Sequence, residues 1–73
     1  MNLDEVTEPT EVLVTINGAT ASKRTRNRVK ENGPRFLFVP NNNRAEQILL
    51  KGVDGKDWNG WLPLREIKIS PVP

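Results

Sequence analysis

The chain has 73 residues, no cysteine, no histidine and a formal net charge of +2. That length supports one domain, whose core contributes roughly 3–5 kcal/mol net, and it leaves room for a partner to add stability. The composition excludes disulfides, thiolate metal sites, zinc ligation by histidine and the usual neutral-pH acid–base catalyst, and no apolar run reaches the length of a signal peptide or membrane span.

Residues 1–10 read as a flexible acidic tail in which Leu3 and Val6 are the only apolar anchors, and Glu8-Pro9 disfavours a helix. Residues 11–16 form the first strand, with Val12, Val14 and Ile16 toward the core and Leu13 and Thr15 outward. Asn17-Gly18 ends it with residues that tolerate positive φ. Residues 19–34 admit two readings. As a helix they have Thr20 or Ser22 as a cap and Asn32-Gly33-Pro34 as a stop. Against that, beyond the Thr20 cap only Ala21 and Val29 are apolar helix positions, and Arg24/Arg28 and Arg26/Lys30 are like charges four apart. The extended reading, with Arg24, Arg26, Arg28 and Lys30 on one face at period two, is preferred.

Residues 36–39 are apolar on both faces and predict a central strand. Residues 40–44, a proline followed by three asparagines and an arginine, predict a loop. Residues 46–53 predict a strand with Ile48 and Leu50 inward, closed by an Asp54-Gly55 hairpin turn. Gly60 to Pro63 reads as a strand that either breaks at Pro63 or lies on an edge, since proline has no amide hydrogen. Trp61 is expected to plug one end of the core, and Ile67 and Ile69 share a face opposite Glu66 and Lys68. Two prolines are expected to keep residues 70–73 as an irregular tail. Five short strands without a helix predict a mainly β domain over residues 11–69, a small barrel or curled antiparallel sheet.

Charge is unevenly placed. Residues 1–22 carry Asp4, Glu5, Glu8 and Glu11 and no cation, a sum of −4. Residues 23–35 carry Lys23, Arg24, Arg26, Arg28, Lys30 and Arg35 against Glu31, a sum of +5. An acidic head before a basic stripe suggests an interaction protein. Alternate cations on a strand lie about 6.6–6.8 Å apart, comparable to successive phosphates, and the arginine fork suits phosphate or carboxylate. The candidate partner-binding residues are therefore Asp4, Glu5, Val6 and Glu8 in the head, Lys23, Arg24, Arg26, Arg28, Lys30 and Arg35 in the stripe, and Trp58 at a turn. No carboxylate pair has a setting that separates two pKa values, and the glycines are turn glycines, so no catalytic site, metal or cofactor is expected.

Gly60-Trp61-Leu62-Pro63, with Ile67 four residues on, resembles the closing motif of Src-homology-three (SH3-like) barrels, where such a strand runs into a one-turn helix and a last short strand. The resemblance covers residues 11–69 as architecture and about eight residues as motif, and fold does not fix function. Peptide-binding members use aromatics on the first strand and an acidic long loop. This chain has Val12-Leu13-Val14-Thr15-Ile16, no tyrosine and a basic loop, which does not suit proline-rich ligands. By size, charge layout and lack of cysteine and histidine, the chain also resembles small RNA-polymerase-binding transcription regulators of Xanthomonas phage, which inhibit initiation and promote antitermination. That resemblance rests on overall character and assigns no residue a role. It implies bacterial RNA polymerase as the partner. The composition, without cysteine, signal peptide or membrane span, points to a soluble, cytoplasmic protein (of the host cell if phage-encoded), expected as a monomer without membrane association. A nucleic-acid-binding module, its stripe following the phosphate backbone, is the alternative.

Overall fold

The structure, a computed structural model, describes residues 2–73. A short 3-10 helix, Leu3–Glu5, leads into strand β1 (Thr10–Ile16). Helix α1 (Lys23–Asn32) follows, then β2 (Arg35–Arg44), β3 (Gln47–Gly52) and β4 (Asn59–Pro63). A second 3-10 turn, Leu64–Glu66, passes the chain to β5 (Ile67–Pro71). The strands make one antiparallel sheet in the order β4-β3-β2-β1-β5, which is curled but not closed. β2 is central, as its two apolar faces predict, and β4 runs through a single turn into the last strand, as the closing motif implies.

Alternation decides the inner face. Val12 and Val14 of β1, Phe36 and Phe38 of β2, Ile48 and Leu50 of β3 and Leu62 of β4 are buried, with Ile67 beside them. The β3–β4 hairpin turns at Asp54 (φ 55°) and Gly55 (φ 85°), the paired positive φ values of a type I′ turn.

Four local expectations change. Residues 23–32 are helical rather than extended. The Ser22 hydroxyl accepts from the Thr25 N–H at 3.3 Å, and the Gly33 N–H donates to the Val29 carbonyl at 2.8 Å. A Cβ at Gly33 would lie 2.7 Å from that carbonyl, so only glycine ends the helix there without a clash. The stripe that packs is two residues wide, Thr25 and Val29 four apart, and it suffices because β1 and Glu66 supply the rest of the attachment. Like-charge pairs four apart cost only a few tenths of a kcal/mol each, less than a cap contributes.

The asparagine run is not a loop, because β2 continues through it to Arg44, which pairs with Gln47. A bulge between Val39 and Arg44, with Asn41 at φ 63°, absorbs the proline and re-aims the strand. Trp61 does not plug the core. Leu62 takes the inward position, so its neighbour Trp61 is forced to the other face and stays half-buried. Ser70 and Pro71 are not an irregular tail either, since they pair with Leu13 and Val12 at the end of β5.

The prolines sit where the open edges tolerate them. Gly52 N–H donates to the Trp58 carbonyl at 2.7 Å and Leu64 N–H to the Glu46 carbonyl at 2.8 Å. This parity turns the amides of Gly60 and Leu62 toward β3 and the backbone of Asn59, Trp61 and Pro63 outward. On the other side Val14 N–H donates to the Pro34 carbonyl and Asn17 N–H to that of Glu66, so in β5 Ile69 and Pro71 face outward. Each edge strand therefore places its proline where a missing N–H costs no ladder bond and blocks further pairing.

Candidate functional site

The residues singled out from the sequence separate into three groups. In the head, Asp4 N–H donates to the Asn2 side chain at 3.0 Å, starting the 3-10 turn, and Asp4, Glu5 and Glu8 are exposed. Val6, expected as an anchor for a partner, is half-buried and rests with Leu3 against the protein's own core. Burial of these two apolar side chains is the physical reason the segment takes a position on the domain.

In the stripe, helical geometry breaks the period-two face. Arg26 folds back, its Nη2 donating to the Gly18 carbonyl at 3.1 Å and its Nε to that of Ala21 at 3.3 Å, so it braces the turn before α1. Arg35 is not on the helix. At the start of β2, it pairs with Glu11 of the neighbouring β1 and with Asp54 of the hairpin turn at 3.5 Å. Lys23, Arg24, Arg28 and Lys30 remain as cations of α1 without an ion pair among the described residues. Their charge is largely presented to solvent, with Arg28 half-buried.

Trp58 belongs to the structural group. Its ring meets Phe36 edge-on at 5.7 Å between centroids and lies over Gly60, so it covers the end of the core. Trp61 takes the surface role instead. The Arg44 guanidinium sits 4.8 Å from its ring centroid, a cation–π contact, and Arg44 has no carboxylate partner among the described residues. A groove of about 420 Å³ runs here between the first turn of α1 and the open side of β4, lined by Arg24, Arg44, Gln47, Trp61, Pro63 and Glu66 among others. Sequence reasoning missed Trp61 and Arg44. The available signal was alternation, because Leu62 is the better core residue and only one of the two neighbours faces inward.

Glu66 holds the groove's far wall. Its carboxylate accepts the Ser22 N–H at 2.6 Å, joining the start of α1 to the turn before β5. The Ser22 amide and hydroxyl lower its pKa from the ordinary 4.5, burial opposes them, and Thr25 and the nearby Arg65 assist the lowering. The same turn accepts from the Asn17 side chain and the Thr20 hydroxyl at the Arg65 carbonyl. Glu66 stays ionised and is committed to this structural bond at the groove's wall, while Arg24 and Arg44 carry the groove's positive charge.

Among the described residues, no three histidine, cysteine, aspartate or glutamate side chains cluster as a metal would require. Among these residues no helix is long and apolar enough to cross a membrane. Comparison with protein-family models, curated proteins and solved structures finds no match to this chain.

Proposed function

We propose that the protein is a non-enzymatic binding module that docks on bacterial RNA polymerase in the cytoplasm and alters initiation, termination or both. The observation that carries this reading is the pairing of opposite charges on one small body. An exposed acidic head (Asp4, Glu5, Glu8) precedes β1, and four cations without ion pairs among the described residues (Lys23, Arg24, Arg28, Lys30) follow it on α1. The body extends only 30 × 27 × 23 Å. A polyanion would favour the helix and be repelled by the head, whereas a protein surface of mixed sign can satisfy both. The resemblance to phage polymerase-binding regulators supports the choice of partner.

The second reading, a nucleic-acid module, is favoured by one feature: Trp61 with Arg44 over it offers a base-stacking shelf beside a cation. The head discriminates between the two. Replacing Asp4 by Asn and Glu5 and Glu8 by Gln takes the net charge from +2 to +5 and leaves Leu3 and Val6 on the core. Polymerase docking predicts weaker retention of nuclease-treated RNA polymerase by the triple variant, measured by titration at two salt concentrations. Tighter binding to free DNA or RNA, with polymerase binding unaltered, would replace the docking reading with the nucleic-acid one.

A further inference from the structure

Three features of the surface have no internal duty: the open edge of β4, the Arg44–Trp61 shelf and the Arg24 side chain at the start of α1. All three line or border one groove. Along the edge, parity leaves the N–H and C=O groups of Asn59 and Trp61 facing outward with no hydrogen-bond partner among the described residues. Pro63 ends that row, since it supplies no donor. The other edge is poorer. In β5 the Ile67 N–H is taken by the Leu64 carbonyl, and Pro71 has none to give, which leaves Ile69 as the remaining outward donor of the strand.

An occupant of the β4 edge must offer alternating donors and acceptors to Asn59 and Trp61. An extended peptide does so with its backbone, whereas a nucleic acid strand has no such repeat. The occupant must also bring negative charge, because Arg24 and Arg44 flank the groove and neither has a carboxylate partner among the described residues. Trp61 gives it an apolar face to pack on. We propose that the β4 edge takes an extended acidic segment of the partner protein as an added strand, its carboxylates meeting Arg24 and Arg44. This rests on the docking reading above and names the surface and the chemistry of the segment that would fill it.

The test uses the full chain and a blocked heptapeptide of alternating glutamate and valine. Controls are the same peptide with lysine for glutamate, the same peptide N-methylated at alternate residues, and a single-stranded oligothymidylate. At saturating acidic peptide, amide exchange at Asn59 and Trp61 should slow by about tenfold, as expected for new ladder bonds. The N-methylated peptide should not bind, because it lacks the backbone donors and adds steric bulk at the edge. Arg44→Ser and Arg24→Ser should each weaken the peptide by about threefold, as a partly exposed charge contact implies, while the cooperative melt is kept and shifts by no more than about 5 °C.

Equal binding of the N-methylated or the lysine peptide overturns the proposal. So does an oligothymidylate that perturbs the Trp61 indole and displaces the acidic peptide, which would assign the shelf to bases. RNA polymerase separates this surface from the function it serves. If polymerase binds wild type and Arg44→Ser alike and the acidic peptide does not compete, the edge proposal fails while docking stands. If the peptide protects Asn59 and Trp61 but polymerase is not retained, docking fails while strand addition stands.

Discussion

The sheet and helix α1 are held by different means. Strands β1 to β4 interlock through Val12, Val14, Phe36, Phe38, Ile48, Leu50 and Leu62, all buried on one face. α1 places only Thr25 and Val29 in the interior, and its ends are fixed by the Ser22 cap, the Ser22–Glu66 bond and Gly33. The sheet is thus secured by area removed from water, which tolerates no polar intrusion. The helix is secured by a few directional bonds, which leaves its outer surface open to whatever charges a partner demands. The binding candidates lie accordingly on the acidic head, on α1 and along the β4 edge, outside the inner face of the sheet.

The sharpest way to break this contrast is a charge in the sheet's interior. Leu62→Asp should cost several kcal/mol, comparable to the whole stability of a domain this size, and leave no cooperative melt. A native-like melt of this variant would show that the inner face is not the core. Val29→Ala tests the helix at its single buried apolar contact and should cost about 2 kcal/mol, with loss of amide protection concentrated in α1 and the β2–β4 hairpins still protected. Uniform loss of protection would mean that helix and sheet are one cooperative unit.

The Ser22–Glu66 bond gives the attachment of the helix a dependence on pH. Because the folded protein holds Glu66 below 4.5, the unfolded chain binds more protons in that range, and stability rises with pH through it. The contribution is complete above the unfolded value and disappears as pH falls through the folded one. Glu66→Gln should therefore lower the melting temperature at pH 7 and flatten the decline of the melting temperature between pH 5 and the acid limit, relative to wild type. Parallel melting curves against pH for the two proteins would show that the bond has no energetic weight. The smallest effect on folding is expected at the outer face of α1. Replacing Lys23, Arg24, Arg28 or Lys30 singly by Ser should shift stability by no more than about 0.5 kcal/mol, and replacing all four should weaken polymerase binding with a reduced salt dependence. Unchanged affinity at low and moderate salt would identify the cations as a solvated surface.

The amino-acid sequence by itself determined the parts governed by short-range alternation and turn chemistry. Val12 and Val14, Phe36 and Phe38, Ile48 and Leu50 fall inward because side chains alternate across a strand, and Asp54-Gly55 turns because both residues accept positive φ. Pro63 marked a strand break or an edge because it lacks a donor, and the strand order makes β4 an edge. Tertiary structure alone decided the rest. Whether residues 23–32 wind or extend depended on Glu66, forty-four residues from Ser22, whose carboxylate fixes the first turn of a helix too polar to show a stripe of its own. The asparagine run stayed in β2 because β3 lies beside it, and Pro71 stayed in β5 because its missing amide faces the open edge. Trp58 and Trp61 exchanged their expected places for the same reason. Leu62 and Phe36, brought together by a sheet that no local pattern encodes, leave room for one indole over the core and turn the other outward to Arg44.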